Sequence, residues 1–203
     1  YRTLYSGQTW YGSLCNRAKD GSHYWVATTI IPHKNANGEI SGFVATRFEI
    51  TELMNTKVRL KKQAATDMMT GLLNRGGFNT SLVTAVEASK RRNADPQVLV
   101  MFDLDGFKPV NDIHGHHAGD EVLKTIATRL IEVINPKDAI SRLGGDEFAV
   151  ILHHSLKLMP LQTILNRIQN LLEEPIMLDS ATVRISGSIG ATPITGEESL
   201  EAL

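Results

Sequence analysis

Two apolar runs joined by Gly144-Gly145-Asp146-Glu147 constrain the fold of this chain more than any other stretch. Ala139, Ile140 and Leu143 lead in, and Phe148-Ala-Val-Ile-Leu152 leads out. Such runs around a glycine pair predict a β-hairpin, because glycine takes the positive φ angles that tight hairpin turns require. The hairpin lifts Asp146 and Glu147 to its tip. Carboxylates beside the bare backbone of Gly144 and Gly145 suit a metal-bound phosphate, which must approach closely. An ordinary polar turn carries the same signature, so the reading depends on a second acid and a nucleotide pocket elsewhere.

The 203 residues suffice for one or two domains with a buried core. Lys+Arg 21 against Asp+Glu 22 leaves no global field to favour nucleic acid or an anionic membrane. We expect no nucleic-acid partner and no direct membrane contact in this segment. Cys15, the single cysteine, excludes an internal disulfide framework and fits a reducing compartment. No apolar run approaches the roughly 20 residues of a membrane span, and no basic-then-apolar leader opens the chain. The expected location is the cytoplasm, or the cytoplasmic part of a membrane-bound parent. The start at Tyr1 without a methionine points to a fragment.

Three regions separate along the chain. Residues 1–50 hold many of the aromatics and two strand-like runs, Tyr24–Ile31 and Ile40–Phe48, joined by a polar turn from Pro32 to Gly38 into an antiparallel pair. Residues 51–66 read as a connector helix with Thr51 as N-cap. Its partial stripe of Leu53, Met54, Val58 and Leu60 fits a short coiled coil and a plain amphipathic connector equally well. From Asp67 helix and strand alternate. The pattern predicts helices over Arg75–Arg92, Glu121–Ile134 and Pro160–Leu172, a buried strand over Gln97–Phe102, the hairpin, and a closing strand over Val183–Thr192. The fold class is α/β around a mixed sheet.

The strand ending at Phe102 delivers Asp103-Leu104-Asp105 at its carboxyl end, where α/β sheets tend to bind ligands. These acids and those of the hairpin meet if their strands are neighbours, and they would suit a hard, oxygen-ligated cation such as Mg²⁺. Asp103 as a strand cap and Asp105 as a turn cap is the plainer alternative. The following segment, Gly106 to Asp120, reads as a turn whose N–H groups cradle phosphate, with Lys108 adding a point charge. Asn111 and Asp120 can reach a base edge, and a carboxylate would select guanine, which presents two adjacent donors. His114, His116 and His117 lack a Cys partner or the spacing of a zinc triad, and read as loop or packing histidines.

Four ordered blocks now stand together: Asp67-Met-Met-Thr-Gly-Leu-Leu-Asn-Arg75, Phe102-Asp-Leu-Asp-Gly-Phe-Lys108 with Asn111-Asp112, Gly115-His116 with Gly119-Asp120, and Arg142-Leu-Gly-Gly-Asp-Glu-Phe148. Residues 67–203 resemble the GGDEF domain of diguanylate cyclases. The resemblance implies a palm-like domain similar to nucleotide cyclases, with a central mixed sheet and flanking helices. It implies condensation of two GTP into cyclic di-GMP and pyrophosphate by a homodimer. Carried over by position, Asp103, Asp146 and the Leu104 carbonyl would hold Mg²⁺, with Mn²⁺ able to substitute. Asn111 and Asp120 would bind guanine, and Lys108, the Phe107 backbone and the Gly144-Gly145 backbone would meet phosphates. Asp146, Glu147 and Lys108 would serve catalysis, Glu147 with the less defined role. Asp67 would pair with Arg142 and brace the hairpin.

Two departures from the family pattern matter. Where many members carry Arg-x-x-Asp as an inhibitory product site, this chain has Asn135-Pro136-Lys137-Asp138. The acid remains, but Lys137 cannot replace an arginine's planar fork, so weak or absent product inhibition is expected. The family also continues beyond the position of Leu203 with a basic helix, of which Glu197–Leu203 resembles only the beginning. Loose GTP binding or slow turnover follows as an expectation.

The front segment resembles the C-terminal part of a PAS sensory domain through Trp10–Asn16, Lys19–Trp25 and Gly42–Thr51. About half of such a domain is implied, and Trp10, Trp25 and Cys15 read as sheet-packing residues rather than a cofactor site. The leading expectation is a sensor-regulated diguanylate cyclase. The alternatives are a catalytically weak GTP-binding regulatory domain of a larger cyclic di-GMP signalling protein, and a PAS-mediated dimerisation module.

Overall fold

A computed structural model describes residues 2–91, 93–179 and 181–196. The chain divides into two units, Tyr1–Lys61 and Lys62–Leu203. In the first, a short helix α1 (Arg2–Tyr5) precedes strands β1 (Trp10–Arg17), β2 (His23–Lys34) and β3 (Ile40–Glu49), which form an antiparallel meander in chain order. The expected pair is there, and a third strand, β1, joins it; with Gly12 and Ser13 inside, its sequence gives no clean alternation. Asx-type bonds shape both turns: Ser22 donates to Asp20, and the amides of Asn37 and Glu39 donate to Asn35 Oδ1. Pro32 lies on β2 beyond its last partner on β1, so its missing N–H interrupts no ladder on that side. Helix α2 (Thr51–Ala65) has no buried residue, and Leu53, Val58 and Leu60 are exposed. Thr51 is its first helical residue rather than its cap. The Thr51 hydroxyl instead accepts from the Trp25 amide at 2.9 Å and donates to Glu49.

The second unit is built on four antiparallel strands: β4 (Val98–Asp105), β5 (Ala139–Gly144), β6 (Glu147–Leu152) and β9 (Ser186–Pro193), in the order β5-β6-β4-β9. A parallel bridge from Leu73 to Ser141 adds the mixed character at the β5 edge. Helices α3 (Arg75–Ser89), α4 (Phe107–His114), α5 (His116–Val133) and α6 (Leu161–Glu173) flank it, and β7 (Ile176–Met177) pairs with β8 (Thr182–Val183) in a separate ribbon. The expected closing strand is therefore split: Val183 pairs with Ile176, and only Ser186 onward joins the main sheet. The predicted helix from Arg75 ends at Ser89, and Arg92 lies outside the described residues. The Glu197–Leu203 tail lies outside them too.

Period-two alternation sorts the strands onto two faces. Val98, Val100, Phe102 and Leu104 of β4 join Phe148, Val150 and Leu152 of β6 in the larger core, which also takes in Val122, Ile126 and Leu130 of α5 and Ile164, Ile168 and Leu172 of α6. The opposite face carries Leu99, Ala149 and Ile151 and is covered by Phe78, Leu82 and Val86 of α3. Met101, further along the same face of β4, is 38% exposed. Beyond it, that face offers Asp103 and Asp105, both exposed.

Among the described residues no helix is long and apolar enough to cross a membrane.

Candidate active site

The β5–β6 hairpin turns on two residues. Gly144 pairs with Glu147, leaving Gly145 and Asp146 as the turn. Gly145 has φ 54° and Asp146 has no positive φ, the pattern of a type II′ turn with glycine first. Gly144, expected as half of the turn, instead ends β5 at a register shift after Arg142, with φ 152°.

Registration brings the acids together. Phe102 pairs with Phe148 across β4 and β6, their rings stacked at 5.4 Å between centroids and 2° between planes. The next pair along is Asp103 with Glu147. Since a one-residue slip would exchange the two faces, burial of the phenylalanine pair fixes both carboxylates on the open face. Burial pushes the Asp103 carboxyl up, and the charges of Asp146, Glu147 and Asp105 push it further the same way. Asp105 itself accepts from the Ser188 hydroxyl at 3.0 and 3.2 Å. Acids gathered so closely that they repel one another are a fitting donor set for a divalent cation. Among the described residues no three His, Cys, Asp or Glu side chains are grouped to hold a metal ion; Mg²⁺ in general is held by one or two carboxylates, with phosphate and water in its other positions.

Arg142 grips the hairpin from within. Its Nε donates to the Gly145 carbonyl at 2.9 Å, and Nη1 lies 3.2 Å from Asp67 Oδ2. Both side chains are largely buried, 11% and 22% exposed. Burial alone would raise the Asp67 carboxyl; hydrogen bonds from the Thr70 hydroxyl and amide, with the Arg142 charge, outweigh it and leave the group below the usual carboxylate range.

The segment after Asp105, expected as a turn, is a helix. Gly106 adopts φ 86° and starts α4, with Phe107, Lys108 and Pro109 in its first turn. Proline is tolerated there because those amides have no partner within the helix. The Phe107 side chain is buried and Lys108 is exposed. The N–H groups expected to cradle phosphate are thus those of a helix N-terminus. Gly115 breaks α4 from α5, so His114 closes one helix and His116 and His117 open the next; all three are exposed helical residues rather than loop or packing ones.

Asn111 lies on α4 and Asp120 on α5, both half-buried. Between them stands a residue whose role the sequence alone did not reveal. A Cβ on Gly119 would overlap the Asn111 side-chain oxygen and come within 3.2 Å of the Phe107 ring. Gly119 therefore leaves room for the Asn111 amide beside Asp120.

At the other end of the hairpin, Asp138 is shielded completely from solvent along its side chain. Oδ1 accepts from the amides of His153 (3.0 Å) and His154 (2.6 Å), and Oδ2 from Ser155 (2.8 Å). Burial alone would raise this carboxyl, and the hydrogen bonds from Ser155, His154 and His153 overcome it and lower it. Asn135 Oδ1 accepts from the Lys137 amide in a local turn. Both residues of the expected degenerate product site are thus engaged with backbone.

A fold of four antiparallel strands carrying converging acids at a glycine hairpin, with a helix N-terminus beside them, defines a nucleotide-cyclase-like domain. A family model described as the diguanylate cyclase GGDEF domain matches residues 64–203, and the chain belongs to that family. It is 33% identical over 207 residues, 97% of this chain, to the bifunctional diguanylate cyclase/cyclic di-GMP phosphodiesterase MucR of Pseudomonas aeruginosa. It is 32% identical over 160 residues, 76% of this chain, to the cyclic di-GMP phosphodiesterase NbdA of the same species. The chain spans 30% and 20% of the lengths of these two relatives. Among solved structures, the coiled coil and GGDEF domain of DgcB from Caulobacter crescentus in complex with c-di-GMP is similar, with TM-score 0.64, 28% identity, and coverage of 74% of this chain and 80% of that one.

Proposed function

We propose that the chain is the regulated catalytic part of a diguanylate cyclase, joining two GTP into cyclic di-GMP with loss of two pyrophosphates. The observation that carries this reading is the register pair Asp103–Glu147, with Asp146 at the adjoining turn and the start of α4 four residues after Asp103. Asp103, Asp146 and the Leu104 carbonyl would hold Mg²⁺ or Mn²⁺, whose charge offsets that developing on the phosphates and lowers the pKa of the attacking hydroxyl. The Phe107 and Lys108 amides with the Lys108 ammonium would receive the terminal phosphates, and the side-chain-free backbone of Gly144 and Gly145 lets them approach. Asn111 and Asp120 would bind guanine.

In each half-reaction the 3′-oxygen of one GTP forms a bond to the α-phosphorus of the other. The bond from that phosphorus to the β-phosphate's bridging oxygen breaks, and pyrophosphate leaves. The hydroxyl proton passes to a nearby carboxylate, for which Asp146 and Glu147 are the candidates. Each domain holds one GTP, so two copies must face each other, and alignment of the reactants supplies part of the rate enhancement. The meander of β1 to β3 followed by α2 supports reading residues 1–50 as the C-terminal part of a PAS sensory domain and residues 51–66 as its connector. A cytoplasmic location belongs to the same reading.

The test is incubation with GTP and Mg²⁺ followed by separation of nucleotides. Cyclic di-GMP from the wild type and none from Asp146→Ala is the expected result; product surviving Asp146→Ala overturns the site. The similarity to a relative named solely as a phosphodiesterase favours one second reading, a GTP-binding regulatory domain without turnover. Tight GTP binding with no product would select it.

A further inference from the structure

Helix α3 covers the apolar part of the sheet face that bears the acids, and its first residue reaches Glu147. Arg75 Nε donates to the Leu143 carbonyl at 3.3 Å, and Nη2 donates to Glu147 Oε2 at 3.3 Å. One guanidinium thus bridges both strands of the hairpin across its turn, which a planar fork with several donors can do and an ammonium cannot. The two side chains are 65% and 55% exposed, so the pair contributes little to stability. Its value lies in where it fixes Glu147. That carboxylate stands opposite Asp103 and beside Asp146, two like charges that would turn a free side chain away.

The residue before Arg75 grips the end of another helix. Asn74 Nδ2 donates to the carbonyls of Ala64 (2.9 Å) and Thr66 (3.2 Å), and its amide donates to Ala65 (2.9 Å). Carbonyls at a helix's last turn have no donors within the helix, and Asn74 supplies them while its Oδ1 caps α3 at Gly77. Gly77 sits so close to the Ala65 carbonyl that a Cβ would overlap it. Within Lys62–Leu203, the end of α2, Asn74, Arg75 and Glu147 therefore form one continuous path.

We propose that Arg75 is a positioning residue that holds Glu147 through Oε2, and that the last turn of α2 acts on the acids through Asn74 and Arg75. This rests on the cyclase reading above. Arg75 touches no reacting atom; without it, Glu147 swings from its two acidic neighbours.

The test compares the wild-type chain with Arg75→Ala, Arg75→Lys and Asn74→Ser, the last keeping a capping oxygen but losing the Nδ2 bonds. Turnover of GTP with Mg²⁺ is measured beside binding of a GTP analogue whose α,β-bridging oxygen is a methylene. Arg75→Ala should lower kcat by about tenfold to a hundredfold, the scale of a misplaced catalytic group, with analogue binding little changed. Arg75→Lys should recover only part, and Asn74→Ser should move kcat in the same direction. Arg75→Ala with wild-type kcat, or with kcat and analogue binding lost together, overturns the proposal. Amide exchange at 144–148 supplies a readout independent of turnover: it should quicken in Arg75→Ala while that of β4 stays unchanged. A wild type that makes no cyclic di-GMP sinks the cyclase reading; unchanged exchange in Arg75→Ala sinks this one.

Discussion

At the base of the β5–β6 hairpin, Asp138 is shut away from water and gives both oxygens to three backbone amides. Around its tip, Asp103, Asp146 and Glu147 share the end of a sheet face that α3 leaves uncovered, and Asp103 is pushed up by burial and by its acidic neighbours. One acid is saturated by donors and lowered; the other is crowded by like charge and raised. A carboxylate satisfied by backbone serves the fold. Carboxylates left facing each other want a cation, and their destabilising repulsion is the mark of a site kept for binding.

The largest effect that would break this contrast is at the tip. Asp103→Asn and Asp146→Ala should each lower cyclase turnover by roughly 10²–10³-fold, the range for losing one transition-state stabilising group, while urea midpoints stay the same or rise slightly. A substantial loss of stability in either variant would show that the tip acids are structural after all.

Asp138→Ala should do the reverse. Three buried amides lose a charged acceptor together, so stability should fall by about 3 kcal/mol, with turnover per folded molecule retained. The pH dependence follows from the same group. A carboxyl lowered in the folded state contributes stability that is fully present above its unfolded pKa and is lost as pH falls through its folded value. Asp67, also lowered, adds in the same sense. Urea midpoints should therefore drop on acidification below the usual carboxylate range, and Asp138→Asn should flatten part of that acid limb. An unchanged limb would mean that Asp138 titrates alike in folded and unfolded chains.

The hairpin and the buried strand before Asp103 were legible because each is a local pattern: glycine beside acids between apolar runs, and a short apolar run ending in acid. The split of the Val183–Thr192 strand was not, since Val183 and Ser186 differ in which neighbour they pair with rather than in composition. Helix α4, expected as a turn, is short and polar, with Gly106, Pro109 and Gly115 in or beside it; the glycines bound it and the proline sits in its first turn, where no amide is missed. The Asp138 contacts lie fifteen to seventeen residues away and the Arg75–Glu147 pair seventy-two. No window of sequence contains such pairs, so only the folded sheet reveals them.

Gly119 sharpens the contrast where α4 meets α5. Gly119→Ala forces the Asn111 amide aside with little change to the acids. At the proposed guanine contact of Asn111, loss of one hydrogen bond would be worth about 1.4 kcal/mol or tenfold, so KM for GTP should rise by about that factor with kcat less affected. Discrimination against ITP, which lacks the guanine amino group, should narrow. Equal KM in Gly119→Ala and wild type would remove Asn111 from base recognition.

The smallest effect expected is that of the product itself. A product site near Asn135–Asp138 would need a cation fork and a free acid. Lys137 offers only an ammonium, and both Asp138 oxygens already accept backbone amides whose release would strand three donors in a shielded place. Added cyclic di-GMP should therefore leave initial rates nearly unchanged at micromolar concentration, in wild type and Lys137→Ala alike. Micromolar or tighter binding that disappears in Asp138→Asn would show that the base of the hairpin opens to ligand, and that its acid is less committed to the fold than its three hydrogen bonds imply.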